Sequence, residues 1–197
     1  MLSLNDTHPD HDHGTPASAS AQTTSLSGRF DDPTNTALVG SDLGAAQFGD
    51  VNAIANNVAL YDFTVTTAGT VTIQSLGFGE GGADPYFTLF EGAGTGATFL
   101  DSNYSQAFST GGDFIWSGGL AVGTYQIALG VFANMSFAEN SGAGTLGDGF
   151  IGLGVPDSAG DGHYHLGVTT PVPEPSTWLL LAIGLAGIGW KAGRRRT

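Results

Sequence analysis

From Val58 onward the chain alternates apolar and polar side chains with a period of two. Tyr61, Phe63 and Val65 fall on one side of an extended chain, and Asp62, Thr64 and Thr66 on the other. Ala68-Gly69 then supplies a turn, after which Val71, Ile73 and Ser75 alternate with Thr70, Thr72 and Gln74. Two alternating runs around a glycine-containing turn predict a β-hairpin. The device recurs at Ala121-Val122-Gly123-Thr124, ahead of Tyr125, Ile127, Leu129 and Val131. Between the two, Phe87 and Leu89 alternate with Tyr86, Thr88 and Phe90, which predicts a strand covered on both faces. Phe114-Ile115-Trp116 and the stretch from His163 to Val168 predict two more strands. These apolar positions are expected to form a core.

The punctuation supports the same fold class. Glycine makes up 32 of 197 residues, about 16% against an ordinary ~7%. The glycines separate short alternating runs, as in many-stranded antiparallel proteins, and helix signals are scarce before residue 176. The expectation is an all-β antiparallel β-sandwich, jelly-roll-like, over residues 25–170, a normal size for one core. Residues 1–24 are expected to be a disordered leader, since they carry Asp6, Asp10, Asp12, His8, His11 and His13 and no apolar run. Ala19-Ser20-Ala21 resembles a small-residue cleavage site, yet nothing before it would drive translocation. A true start further upstream is the expected explanation, with unconventional export as the alternative.

The end of the chain changes the pattern. Pro173-Glu174-Pro175 is followed by an uncharged run, residues 176–190, and then by a basic tail, residues 191–197. Trp178, Leu179, Leu180, Leu181, Ile183, Leu185, Ile188 and Trp190 cover all sides of a helical wheel, unlike the stripe of a core helix. From Pro175 to Trp190 a helix would reach roughly 24 Å, short of the ~30 Å hydrocarbon core of a bilayer. The two Trp and the basic cluster Lys191, Arg194, Arg195 and Arg196 nevertheless suit a short inserted helix. The positive-inside rule leaves the C-terminus in the cytoplasm and sends the preceding domain outward.

The three-part order of Val172-Pro173-Glu174-Pro175-Ser176-Thr177, short hydrophobic helix and Arg-rich end resembles the PEP-CTERM sorting signal of bacterial proteins handled by exosortase, a membrane transpeptidase. The resemblance implies that Pro173, Glu174 and Pro175 are recognition residues and that the precursor sits in the inner membrane. It further implies removal of the signal, release to the cell surface or extracellular matrix, and a host that makes exopolysaccharide. Upstream, Asn57 to Val65, Ala68 to Ile73, Asp84 to Phe90, Val122 to Tyr125 and Leu146-Gly147-Asp148-Gly149-Phe150 resemble the pre-peptidase C-terminal type of bacterial β-sandwich. That likeness implies an accessory that binds carbohydrate or protein, in some cases with Ca²⁺.

Charge narrows the partners. Residues 1–170 hold Arg29 as their one basic residue against 17 acidic ones, about −16. Such a polyanion is expected to bind neither nucleic acid nor anionic lipid. Cysteine is absent, which removes disulfides and thiol chemistry.

Chemistry is sparse. With Arg29 the only cation before the tail, phosphate and oxyanion clamps are nearly excluded, and no Gly-x-Ser-x-Gly elbow accompanies His163 or His165. The protein is expected not to be an enzyme and to need no cofactor. A secreted hydrolase or metal-dependent enzyme built from loop carboxylates is the alternative. Weak Ca²⁺ binding would draw on Asp84, Asp101, Asp113, Asp148, Asp157 and Asp161, all in glycine-rich settings. His163 and His165 share a strand face downstream of Asp157 and Asp161, an arrangement compatible with Zn²⁺. For extracellular polysaccharide, Tyr86, Tyr104, Trp116 and Tyr164 are read as exposed aromatics that could stack on sugar rings, although a structural role is the first expectation for each. Asn5, Asn103 and Asn134 match the Asn-x-Ser/Thr pattern, at chance level for a bacterial chain.

Overall fold

The computed structural model describes residues 20–32, 34–39, 54–55, 57–103, 112–153, 156–157 and 161–173. Ten strands are assigned among them: β1 (Ala21–Arg29), β2 (Ile54–Ala55), β3 (Ala59–Val65), β4 (Gly69–Ser75), β5 (Tyr86–Glu91), β6 (Thr98–Ser102), β7 (Ile115–Leu120), β8 (Gly123–Gly130), β9 (Pro156–Asp157) and β10 (His163–Pro171). One four-stranded sheet runs β1-β10-β4-β7, a second runs β3-β8-β5-β6, and β2 pairs with β9 alone. Every pairing is antiparallel. Leaving out the short β2–β9 pair and counting the other eight strands in order, the sheets read 1-8-3-6 and 2-7-4-5, the jelly-roll arrangement of interlocked Greek keys. The expected sandwich is the observed architecture, but the expected hairpin is not: β3 pairs with β8 and β4 with β10 and β7, so the turn at Ala68-Gly69, like the one at Ala121-Val122, carries the chain from one sheet to the other.

Alternation along the strands becomes a core between the sheets. Val65, Val71, Ile73, Phe87, Leu89, Ile127, Leu129, Leu166 and Val168 are buried there, while Asp62, Thr64 and Thr70 face out. β5 is buried on both faces, from Tyr86 through Phe90. The reason is a third layer: Val58, Phe90, Ala97, Ala128, Ala138 and Leu146 form a second cluster outside the β3-β8-β5-β6 sheet. That layer is carried by the short helix α1 (Phe137–Ser141) and a 3₁₀ turn at Leu146–Asp148. Ser136 accepts the Glu139 N–H at 3.1 Å and so caps α1, while Gly142, at φ 72°, closes it.

One boundary moves. Residues 21–24, assigned to the leader by composition, are the first residues of β1. β1 is an edge strand whose Ala21-Gln22-Thr23-Thr24-Ser25 is exposed throughout. A solvated edge has no apolar alternation to betray it.

A hydroxyl network ties the two sheets. Tyr61 of β3 and Tyr164 of β10 share a hydrogen bond of 2.7 Å between their Oη atoms. Asn35 Nδ2 donates to Tyr164 Oη at 2.7 Å and to the Arg29 carbonyl at 3.1 Å. Burial first, and the Tyr164 hydroxyl second, push the Tyr61 phenol well above its ordinary value of 10.0, so it stays neutral.

Candidate sorting junction at the end of the last strand

β10 is an inner strand of its sheet, paired with β1 along its whole length from Arg29↔His163 to Ala21↔Pro171. One further bond closes the ladder: the Val172 N–H donates to the Ser20 carbonyl at 3.0 Å. Pro173 is exposed and has no N–H to continue the pairing. The first proline of Pro173-Glu174-Pro175 therefore follows the folded ladder without a linker.

The exit has a defined surround. Ser20, Ala21, Thr67, Ala68, Gly69, Thr70, Pro171 and Val172 line an open cleft of about 420 Å³. Gly69 lets the β3–β4 turn approach the exit closely, since a Cβ there would lie 3.2 Å from Pro171 Cγ. The registers bring the β5–β6 connection, residues 92–97, and the β7–β8 connection, residues 121–122, to the same end of the sandwich. Val122 is 65% exposed there.

Glu174, Pro175, the apolar run with Trp178, Leu179, Leu180, Leu181, Ile183, Leu185, Ile188 and Trp190, and the basic Lys191, Arg194, Arg195 and Arg196 lie outside the described residues. Among the described residues no helix is long and apolar enough to cross a membrane.

The carboxylates singled out for metal are engaged in local structure. Asp84 Oδ1 accepts the Gly112 N–H at 2.7 Å. Asp101 accepts the Ser102 N–H and the Trp116 Nε1–H, each at 2.8 Å. Asp113 accepts the Phe78 and Gly79 N–H groups at 3.2 and 3.1 Å, and Asp148 Oδ2 accepts the Thr145 N–H at 2.7 Å. Asp161 accepts the His163 N–H at 3.1 Å, contacts His163 Nδ1, and pairs with Arg29 at 3.7 Å. These bonds, the His163 N–H foremost, hold the Asp161 carboxyl below its ordinary 3.8. Asp157 lies in β9, its backbone opposite Ile54. His163 and His165 do share the outer face of β10, on either side of buried Tyr164. Among the described residues no three His, Asp or Glu side chains converge in a way that could hold a metal ion.

The expected exposure of the aromatics is corrected, in favour of their structural role. Tyr86, Trp116 and Tyr164 are 6%, 3% and 2% exposed. Trp116 packs edge-on against Phe87, Tyr164 lies against Phe30, and Tyr86 meets Phe132. Period two already placed Tyr164 with Leu166 and Val168, and Trp116 with Phe114, on inward faces. Tyr104 lies outside the described residues. The exposed aromatic rings among the described residues are Phe78, Phe132 and Phe137. Asn134 is buried, donating to the Ile151 carbonyl at 3.2 Å, and Asn103 Oδ1 accepts the Phe87 N–H at 2.9 Å.

What sequence alone did not reveal is the partner of the exit: Ser20, polar and on an edge, carries no signal that it binds Val172. Comparison with curated proteins found no match to the chain. Comparison with family models found one, to the PEP-CTERM protein-sorting motif, over residues 171–196. The matched segment begins at Pro171, the last residue of β10, so the chain carries this sorting motif directly on the end of its sandwich.

Proposed function

We propose that the chain is the precursor of an exported, non-enzymatic bacterial surface or extracellular-matrix protein. Its tail holds it in the inner membrane with the C-terminus cytoplasmic, until an exosortase-type transpeptidase acts at Pro173-Glu174-Pro175 and releases the sandwich. The observation that carries this reading is the match at residues 171–196, which begins where the fold ends. An enzyme cutting there would sever a tail without breaking the β1–β10 ladder. Replacing Pro173, Glu174 and Pro175 by alanine in the producing cell tests it. The full-length precursor should accumulate in the membrane fraction, and unchanged release of the sandwich would contradict the reading.

In its mature form the sandwich serves as a binding module for exopolysaccharide or neighbouring matrix proteins. Support comes from the acid-rich, cysteine-free composition, which favours solubility and weighs against nucleic acid. It also comes from the engagement of the conspicuous loop carboxylates in backbone caps. Affinity electrophoresis of the purified protein in the host's own exopolysaccharide, beside a hydrolase panel, tests this. Retardation without turnover is expected, and turnover without retardation would favour the hydrolase.

A further inference from the structure

The junction limits how far the sandwich stands from a bilayer. Val172 is fixed by its bond to Ser20, and the uncharged run begins four residues later, at Ser176. The four steps from Val172 to Ser176 span at most about 14 Å, and two of the three intervening residues are prolines with restricted φ. The end of the sandwich that carries Val172 must then sit within about 14 Å of the level at which the run enters lipid.

That end differs in charge from the other. Its connections, Thr66-Thr67-Ala68, residues 92–97 and Ala121-Val122, contain no charged residue. Apart from Glu174 of the motif itself, two residues past Val172, the carboxylates towards this end are Glu91, at the end of β5, and Asp148, in the excursion that packs beside β6. Asp31, Asp32, Glu80, Asp84, Asp113 and Asp161 lie in connections at the opposite end, where Arg29 pairs with His163. The nine residues of β10 separate the two ends by about 27 Å. That is more than three Debye lengths of about 8 Å at physiological salt, so the distant carboxylates are screened from an anionic headgroup layer. A carboxylate cluster at the near end would instead have opposed that layer's negative potential.

We infer that the uncharged end of the jelly roll is a lipid-facing surface. On the membrane-anchored reading of the tail, on which this rests, it lies against the headgroups of an anionic bilayer and presents Pro173-Glu174-Pro175 in the narrow gap between fold and membrane. The acidic end points away. The contact is set by the short tether, and the absence of charge from the connections at this end lowers the repulsion that would otherwise oppose it.

The native chain has no cysteine, so single cysteines report position cleanly. Full-length Val122→Cys, Thr67→Cys, Glu80→Cys and Leu181→Cys, labelled with a small fluorophore, would be reconstituted into phosphatidylethanolamine–phosphatidylglycerol vesicles. Headgroup-attached and acyl-chain-attached quenchers then read depth. Labels at 122 and 67 should be quenched by the headgroup quencher several-fold more than the label at 80, and the label at 181 by the acyl-chain quencher. Equal quenching at 67, 122 and 80, with 181 in the acyl region, would overturn the orientation and leave the anchor intact. Absence of acyl-chain quenching at 181 would overturn the anchor, and the orientation with it.

Discussion

The N–H of Val172 donates to the carbonyl of Ser20 at 3.0 Å, so the last hydrogen bond of the β1–β10 ladder lies one residue before Pro173. The two ends of the described fold therefore meet at one point, beside the turn at Thr67–Gly69. Position of the sorting motif is thereby coupled to folding of the whole sandwich, because β1 and β10 are its first and last strands.

Insertion of a flexible 20-residue Gly/Ser linker between Val172 and Pro173 should uncouple them. A linker of that length has a root-mean-square span of about 25 Å, ample to lift the sandwich from the headgroups. Headgroup quenching at Val122→Cys should fall to the level at Glu80→Cys, while thermal unfolding stays unchanged. Persistent quenching at 122 would contradict control by the tether.

Tyr61→Phe should cost about 1 kcal/mol, or roughly 3–5 °C in Tm, since one inter-sheet hydrogen bond is lost and the ring contact kept. Tyr164→Phe should cost more, because Asn35 Nδ2 and the Tyr61 hydroxyl both lose their partner. Thermal unfolding followed by circular dichroism gives the order, and equal losses would contradict the network.

Gly28→Ala should lower stability beyond an ordinary strand substitution. A Cβ at residue 28 would meet the Tyr164 hydroxyl and stand 2.6 Å from Asn35 Nδ2, forcing apart the groups that join the sheets. Gly119→Ala, with open space around its Cβ, is the control in the same sheet. Similar Tm values for the two variants would count against this packing.

Acid should weaken the end of the sandwich around Arg29. Asp161 is held below 3.8 first by the His163 N–H, and Asp32 first by the Thr34 hydroxyl and then by its N–H. A depressed folded value means that the contribution is fully present above the unfolded value and is lost as pH falls through the folded one. Tm should accordingly drop below about pH 4, and Asp161→Asn should make that drop shallower. Melting curves between pH 3 and 7 check this, with an unaltered acid limb in the variant as the contrary result.

Much of the fold was legible because period two is enforced wherever one face is buried. Tyr61, Phe63 and Val65, then Val71 and Ile73, predicted the strands β3 and β4 but not their partners, because alternation marks a buried face and does not say which sheet it belongs to; Tyr86 to Phe90 predicted a strand covered on both sides. β1 escaped because both the edge and the faces of residues 21–25 are solvated, leaving no pattern to select. Tyr86, Trp116 and Tyr164 were read as exposed for their amphipathic chemistry, whereas spacing to Phe114, Leu166 and Val168 turns Trp116 and Tyr164 inward and the layer of Phe132 and α1 covers Tyr86, so the structural role expected first for each is the one they have. The carboxylates of the glycine-rich loops looked like ligands, yet Asp84, Asp113 and Asp148 each accept backbone N–H groups of sharp turns. Asx-type capping and Ca²⁺ ligation draw on the same residue type in the same setting. The sorting motif was legible at once, being a linear signal whose order survives without a fold.

The most direct test of the account is the C-terminal residue of the protein recovered from the producing culture, mapped by intact-mass and peptide mass spectrometry. Processing at the end of β10 predicts a sandwich whose last residue lies at or near Pro173, with the segment through Arg196 missing. A mature protein that retains Arg194-Arg195-Arg196 would contradict it.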